Sequence, residues 1–259
     1  MNIHPSSIIH ESAKIDPSVN IGPFCIIGRD VEIQQGTSLL SHIVLKGPTT
    51  IGENNTIYQF STIGEDTPDK KFNGEDTRLI IGNNNIFREG VTIHRGTIQD
   101  KGLTKIGHDN LFMAYVHIAH DCIVGSNNVF ANNAGLAGHV EVGSSVVIGA
   151  LSTVHQFCKL GDHSFAGMNA SITMDIPAYV KVASNPAKVV GLNSIGMSRN
   201  DIPDESIALI KKAYRVVYRR DLKLDDALTK LNTMLSETDD PCLNVFIESI
   251  KASKRGILR

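Results

Sequence analysis

The sequence predicts a mainly β protein, in which residues 1–190 form a parallel β-helix of six-residue repeats and residues 191–259 form a small C-terminal α-helical domain. Three observations predict this fold class. An apolar side chain recurs at every sixth position, residues that favour turns stand between these positions, and helical spacing of apolar residues begins only near the C-terminus. A helix would show a period near 3.6 and a plain strand a period of 2, so a period of six indicates a coil of short strands.

The six-residue repeat runs through three segments of the chain, 3–63, 81–93 and 106–172. Glycine often follows the apolar residue, and small or β-branched residues often stand four positions after it. Asparagine-rich corners such as 53–55 and 83–85 suit backbone near the left-handed region, which Gly and Asn tolerate best. This combination is typical of a hexapeptide β-helix, whose short strands form the flat sides of the coil.

A triangular coil, as in left-handed β-helices, completes one turn in three repeats. Residues one turn apart then stack about 4.8 Å from each other, the spacing of neighbouring strands. The repeats suffice for eight to nine coils, a prism about 40 Å long with the apolar positions inside. Cys25, Cys122 and Cys158 each stand four positions after an apolar position, so we expect unreactive thiols in the core.

Two inserts, residues 64–80 and 94–105, interrupt the repeat. Ile63, Ile93 and Ile118 share one column of the coil, so both inserts are expected to project from the same edge. Long excursions from a strict solenoid are more often functional than accidental.

The repeat stops near residue 190. Residues 202–205 resemble the start of a helix, and the stretch that follows carries apolar residues at helical spacing. LDDALTKLNTML and CLNVFIESIKAS indicate two further helices. A small helical domain is therefore expected to cap the prism.

The bulk composition excludes several classes of protein. Charged residues make up 20% of the chain and the formal net charge is -2, which argues against a general nucleic-acid binder. No apolar run reaches the roughly 18 residues that a membrane span needs, and the first residues lack the features of a secretory signal. The four cysteines form no CxxC pair. We expect a cytoplasmic enzyme.

The most informative stretch is VHIAHDC, residues 116–122. Ile118 points inward, which places His117 and His120 on or near the outer surface. One coil later His120 aligns with Gly138 and Asp121 aligns with His139. The same column argument brings five histidines to one strip beside the inserts: His94, His117, His120, His139 and His155.

Such a cluster has three interpretations. It is a polar ladder on a solvated face, a zinc site, or the centre of general base catalysis. Zinc-binding β-helix enzymes of the carbonic anhydrase type use a His-x4-His pair, whereas Cys122 stands five residues after His117. A near-neutral imidazole suits removal of a proton from a hydroxyl, and the Gly138 amide beside His120 is placed to hold developing negative charge. A base with an oxyanion donor indicates acyl transfer, and we expect no metal.

The motifs make the resemblance specific. The repeats, HIAHDC (117–122), TIHRG (92–96), LAGHV (136–140), VHQFC (154–158) and the helical tail closely resemble the UDP-N-acetylglucosamine O-acyltransferases of lipid A biosynthesis, within the hexapeptide-repeat acyltransferases. The resemblance implies a homotrimer of left-handed β-helices with active sites between subunits. It implies transfer of an (R)-3-hydroxyacyl group from acyl carrier protein to the glucosamine 3-hydroxyl of UDP-N-acetylglucosamine, without a further cofactor.

The resemblance also implies roles for single residues. His120 would be the general base, Asp121 would orient or polarise it, and the Gly138 amide would stabilise the tetrahedral oxyanion. The residues that would contact the sugar nucleotide or the acyl chain are His117, His139, His155 and Gln156, with His94 close by.

Four further residues match family positions. Asp69 and Lys71, on the first insert, match residues that reach toward the substrate, although both also fit a solvated loop. Arg199 falls where the family places an arginine near the nucleotide phosphates, but Asn200 stands where the family often has a second one. Met168 stands near the end of the family's acyl groove, where a methionine should favour a shorter acyl chain than glycine would.

Basic residues at helical spacing offer a docking surface for the acidic carrier, or else simply a soluble helix face. They are Lys211, Lys212, Arg215, Arg219 and Arg220.

Three rival functions remain. The sister N-acyltransferase usually has an extra N-terminal domain, whereas the repeat here begins at Ile3. The others are a coenzyme A-dependent acetyltransferase and a non-catalytic scaffold, which would need neither clustered histidines nor paired inserts.

Overall fold

A computed structural model describes residues 2–259 of the chain. It is a left-handed parallel β-helix followed by four helices, which confirms the predicted fold class. The apolar repeat fills the interior: every repeat position from Ile21 to Ile172 is buried, and Ile3, Ile9 and Ile15 at the open end are partly buried against this core. Burial of these side chains is the main favourable contribution to folding of the coil.

The coil has three flat sides, each a sheet of short strands. In sheet 1 the strands are β1 (Asn2–Ile3), β4 (Asn20–Ile21), β7 (Ser38–Leu39), β10 (Thr56–Ile57), β13 (Ile86–Phe87), β16 (Leu111–Phe112), β19 (Val129–Phe130), β22 (Val147–Ile148), β25 (Phe165–Ala166), β27 (Val180–Ala183) and β28 (Lys188–Leu192). All neighbours pair in parallel except β27 and β28, which form an antiparallel hairpin.

Sheet 2 and sheet 3 are parallel throughout. Sheet 2 contains β2 (Ile8–Ile9), β5 (Ile26–Ile27), β8 (Val44–Leu45), β11 (Thr62–Glu65), β14 (Thr92–His94), β17 (His117–Ile118), β20 (Gly135–Leu136), β23 (Thr153–Val154) and β26 (Ser171–Ile172). Sheet 3 contains β3 (Lys14–Ile15), β6 (Val31–Ile33), β9 (Thr49–Ile51), β12 (Arg78–Ile81), β15 (Leu103–Ile106), β18 (Ile123–Val124), β21 (Glu141–Val142) and β24 (Lys159–Leu160).

The strand register places both inserts on one edge of the prism. Ile63 pairs with Ile93, and Ile93 pairs with Ile118, as the column argument requires. Each insert leaves the end of a sheet 2 strand and returns at the start of a sheet 3 strand. We call this the histidine edge; it comprises residues 119–122, 137–140 and 155–158 together with the inserts.

Four helices follow the coil: α1 (Ser194–Arg199), α2 (Asp204–Tyr218), α3 (Leu224–Thr238) and α4 (Pro241–Lys251). Two acidic residues in the first turn of α2 complement the helix dipole. The sequence predicted three helices and missed α1, which is one short helix of six residues. The predicted domain boundary after residue 190 falls within β28, and the division into two domains stays a prediction.

The helical segment is tied to the last coil by hydrogen bonds. Ser249 on α4 accepts from the Ala178 amide at 2.9 Å, and the Leu258 amide donates to the Asp175 carbonyl at 2.8 Å. Across residues 2–259, no helix combines the length and the apolar character that crossing a bilayer requires.

The three thiols that stand four residues after a repeat position lie in the core, where Cys25, Cys122 and Cys158 are buried and unpaired. Burial raises the pKa of all three thiols, to about 12 for Cys122 and about 11 for Cys158. Because the thiolate is the reactive species, these cysteines are inert at neutral pH.

Candidate active site

The His120 imidazole is held by the carboxylate of the next residue. Asp121 has left-handed backbone, with φ of 58°, and this turn brings its side chain back to the ring. Nδ1 of His120 lies 2.8 Å from Oδ2 of Asp121. The predicted pairing of adjacent residues is thus present in the structure, made possible by the corner of the coil.

Asp121 is buried, and its surroundings favour the ionised form. Oδ1 accepts from the Thr97 amide at 2.9 Å, and Oδ2 accepts from the Thr97 hydroxyl at 2.6 Å. Burial on its own would raise the pKa of Asp121, but the hydrogen bonds from His120 and Thr97 lower that pKa below its usual value. An ionised carboxylate only accepts, so Nδ1 of His120 carries the proton and Nε2 is left as an acceptor.

Gly138 lies directly against the His120 ring. A Cβ at this position would stand 2.6 Å from Cε1 and 2.7 Å from Nε2 of His120, closer than any side chain tolerates. Only glycine therefore permits this approach of the imidazole to the backbone.

The Gly138 amide is buried, and within residues 2–259 it has no hydrogen-bond acceptor. Corresponding corner amides between sheet 3 and sheet 1 are capped by side chains of the next coil. The His108 amide donates to the Ser126 hydroxyl and the Ser126 amide to the Ser144 hydroxyl. The Ser144 amide donates to the Asp162 carboxylate. Buried amides are nearly always paired, so an unpaired one beside a base marks a place for a ligand oxygen.

A second histidine stands one coil further along the edge. The His139 ring stacks on Phe157 at 4.4 Å between centroids and meets the His120 ring edge-on at 5.0 Å. Its Nδ1 lies 2.9 Å from Oδ2 of Asp100, on the second insert. The sequence predicted His139 at this position but gave no role to Asp100.

Two histidines precede His120 along sheet 2. His94 and His117 meet edge-on at 5.3 Å, and Nδ1 of His94 lies 2.7 Å from the Asp66 carbonyl. The Thr92 hydroxyl lies 2.8 Å from Nδ1 of His117. Burial lowers the pKa of His117, and the neighbouring His94 and His120 lower it further.

His155 and Gln156 lie at the far end of the same edge and are both exposed. Nδ1 of His155 lies 3.1 Å from the Gln156 carbonyl. The structure therefore places His94, His120, His139 and His155 on the histidine edge, and His117 beside it on strand β17.

The first insert is anchored beside this edge by Arg95, which is buried. Its guanidinium binds the Gly64 carbonyl and the Asp66 carboxylate. Further along the insert the Lys71 amide donates to Asp69 at 2.9 Å, and the Lys71 side chain is exposed. Arg95 stands in the TIHRG motif, but the sequence did not predict its role, because residue spacing does not distinguish a buried arginine from a surface arginine.

Two predicted residues lie outside the segments that form the histidine edge. Met168 is 72% exposed and lies at the edge where sheet 1 passes into sheet 2. Arg199 is exposed in the last turn of α1. A single chain therefore places Met168 on a different edge from His120.

Among residues 2–259, the group of donors close enough to hold a metal ion is His120, Asp121 and His139, with ligand atoms within 4.8 Å of one another. Both carboxylate oxygens of Asp121 and both Nδ1 atoms already have hydrogen-bond partners. These atoms are therefore engaged within the protein itself.

A hexapeptide β-helix that holds a histidine between a buried carboxylate and an unpaired backbone amide defines an acyltransferase type of site. The comparisons with known proteins agree. A family model described as Udp N-acetylglucosamine O-acyltransferase, domain 2, matches residues 175–258. A family model of the GMPPB C-terminal domain matches residues 3–105. A third family model, bacterial transferase hexapeptide, which comprises six repeats, matches residues 103–138.

Similar proteins extend over the whole chain. Two relatives are named acyl-(acyl-carrier-protein)-UDP-N-acetylglucosamine O-acyltransferase. The one from Stutzerimonas stutzeri is 49% identical to this chain over 257 residues, and the one from Ectopseudomonas mendocina is 51% identical over 258 residues. The matches cover 99% and 100% of this chain and 99% of each relative. The crystal structure of the UDP-N-acetylglucosamine O-acyltransferase from Moraxella catarrhalis covers both chains fully, with a TM-score of 0.97 and 48% identity. The chain belongs to this family of acyltransferases and is an enzyme.

Proposed function

We propose that the protein transfers an (R)-3-hydroxyacyl group from acyl carrier protein to the 3-hydroxyl of the glucosamine of UDP-N-acetylglucosamine, the first step of lipid A biosynthesis. One observation carries the proposal. The His120 imidazole is held by the buried Asp121 carboxylate and lies on Gly138, whose amide has no partner within residues 2–259.

In the proposed reaction, Nε2 of His120 takes the proton of the sugar hydroxyl as its oxygen attacks the thioester carbonyl. A C–O bond forms and the carbonyl oxygen becomes an oxyanion, which accepts a hydrogen bond from the Gly138 amide. The C–S bond then breaks, and the proton held by His120 passes to the leaving thiolate. Asp121 stabilises the imidazolium that forms between these two steps.

The other predicted residues surround this centre or extend from it. We assign contacts with the sugar nucleotide or the acyl chain to His117, His139, His155 and Gln156, with His94, Asp69 and Lys71 nearby. Arg199 would bind a nucleotide phosphate, for which a guanidinium is well suited.

A homotrimer accounts for the residues that one chain keeps apart. Large apolar side chains are exposed along the edge between sheet 1 and sheet 2, namely Phe24, Phe60, Tyr115 and Leu151, and exposed strips of this kind are usually covered by a partner. If this edge faces the histidine edge of a neighbouring subunit, Met168 of one chain joins His120 of the next.

The proposed reaction needs no further cofactor, because the acyl group arrives activated as a thioester. All four cysteines are free, which suits a reducing compartment and supports a cytoplasmic location.

The test is acyl transfer by the purified protein from 3-hydroxyacyl carrier protein to UDP-N-acetylglucosamine. We expect His120→Ala to lower kcat by at least about 100-fold, the contribution of a positioned base. Gly138→Ala should cost a similar factor, since its Cβ would displace the imidazole. His10→Ala, an exposed histidine in the first coil, is the matched control and should retain full activity.

Three outcomes would replace the proposal. Activity on the 3-O-acylated amino sugar alone would make the protein an N-acyltransferase. Activity with acetyl-coenzyme A in place of the carrier would make it an acetyltransferase. Equal activity of wild type and His120→Ala would remove the base from the mechanism.

A further inference from the structure

The second insert supplies a carboxylate to a second histidine of the site. Oδ2 of Asp100 lies 2.9 Å from Nδ1 of His139, although the two residues are 39 positions apart in the chain. Asp121, the other nearby carboxylate, is 3.9 Å from the same nitrogen, beyond hydrogen-bond distance. Asp100 is therefore the partner of His139.

The plane of the His139 ring is fixed by its neighbours. Phe157 stacks on one face with an interplanar angle of 11°, and His120 meets the ring at 89°. Two freedoms remain within this plane. A flip of the ring exchanges the positions of its two nitrogens, and the proton can sit on either nitrogen. A carboxylate at Nδ1 removes both freedoms, because an ionised carboxylate only accepts.

We propose, resting on the proposed function, that Asp100 is a positioning residue that holds His139 with its proton on Nδ1, so that Nε2 accepts a hydrogen bond from an N–H or O–H group of the acceptor sugar. The site then contains two carboxylate–histidine pairs with different tasks. His120, held by Asp121, removes a proton, and His139, held by Asp100, orients the acceptor.

One loop completes both pairs. Thr97 donates twice to Asp121, and Asp100, three residues later on the same insert, accepts from His139. The second insert thus acts on each histidine through a carboxylate. The side chains of His139 and Asp100 are 14% and 35% exposed, so their hydrogen bond is partly shielded from water.

The kinetic test compares three variants. Asp100→Ala should raise the KM for UDP-N-acetylglucosamine about 10-fold and change kcat less than about 3-fold, the scale of one charge-assisted hydrogen bond to a bound group. Asp100→Glu should restore part of the loss, because its carboxylate also only accepts. Lys101→Ala is the matched control, since its ammonium on the same insert is 3.9 Å from Glu141 and it should behave as wild type.

The structural test is the tautomer of His139, measured by ¹⁵N NMR of histidine-labelled protein and assigned with His139→Gln. We expect the proton on Nδ1 in wild type and Asp100→Glu, and a mixture or the Nε2 form in Asp100→Ala. This measurement needs no substrate, so it stands even if wild type fails to acylate UDP-N-acetylglucosamine, a failure that would sink the proposed function alone.

Two results would overturn the role of Asp100. One is a wild-type His139 that carries its proton on Nε2, and the other is an Asp100→Ala variant with unchanged KM. If the alanine variant does not fold, Asp100→Leu, which is similar in size to Asp and has no acceptor, takes its place, and an unchanged KM in that variant is decisive against the proposal.

Discussion

His117 shows, at the scale of single residues, how stacking in the coil acts on a titratable side chain. Burial lowers its pKa, and the adjacent histidines lower it further. In the unfolded chain the imidazole has a pKa near 6.5, so below about pH 6.5 the unfolded state binds the proton more readily. The stability contributed by neutral His117 is therefore present above pH 6.5, and it is lost as the pH falls through the folded-state pKa.

We predict that His117→Gln makes the protein less sensitive to acid. A histidine of this kind lowers the free energy of unfolding by up to about 1.4 kcal/mol per pH unit between its two pKa values. Urea unfolding at pH 7.5, 6.5 and 5.5, at one protein concentration, measures this slope; far-UV circular dichroism is the probe, as the chain has no Trp.

The slope should fall in His117→Gln without vanishing, because burial also lowers the pKa of His163. His155→Gln, which removes an exposed histidine of the same edge, should leave the slope unchanged. Identical slopes in His117→Gln and wild type would contradict the burial argument.

The residues that the sequence predicted best are those inside the repeat. His120 and Gly138 could be placed side by side because the repeat fixes which residues stack one coil apart. The spacing alone could not show that Asp121 reaches its own neighbour. That contact depends on the left-handed corner at Asp121, a conformation that the asparagine-rich corners indicate elsewhere but not here.

At the scale of elements, the inserts are where prediction from sequence fails. The repeat predicted the edge from which they project, since Ile63, Ile93 and Ile118 share a column. It could not place Thr97 or Asp100, because an insert has no register with the next coil. Only the folded path of the loop brings Asp100 to His139. The same limit applies to α1, which is too short to show a helical period.

Helix α2 carries the predicted docking surface for the carrier. Its apolar face is buried, and the five basic residues, Lys211, Lys212, Arg215, Arg219 and Arg220, are all exposed at or just beyond the helix. Exposed charges of one sign speed the encounter with an acidic partner, and salt screens their effect. The surface therefore suits acyl carrier protein.

We predict that joint replacement of Arg215→Glu and Arg219→Glu raises the KM for the acyl carrier substrate about 5- to 10-fold at low salt, with less effect near 0.3 M salt. The KM for UDP-N-acetylglucosamine should stay unchanged. Joint replacement of Lys188→Glu and Lys254→Glu makes the same change in net charge on exposed residues elsewhere and serves as control. Equal effects of both pairs would place the docking surface outside α2.

At the scale of the whole molecule, the separation of Met168 from His120 is the feature that a single chain leaves unexplained. The two residues lie on different edges of the prism, and Met168 stands beside the exposed apolar side chains of its own edge. In the proposed trimer, the acyl chain would run from His120 of one subunit along the edge of the next. Met168 would then end the groove.

We predict that Met168→Gly shifts the preferred donor toward acyl chains longer by about two to four carbons, because removing a methionine side chain opens a comparable length of close-packed groove. The measurement is kcat/KM for a series of 3-hydroxyacyl carrier substrates of increasing length. Asn169→Gly places a glycine at the next residue of the same corner, where φ is 58°, and controls for backbone freedom alone. An unchanged optimum in Met168→Gly would show that Met168 does not line the acyl groove. The proposed trimer, in which the apolar edge of one subunit faces the histidine edge of the next, would then lose its main support.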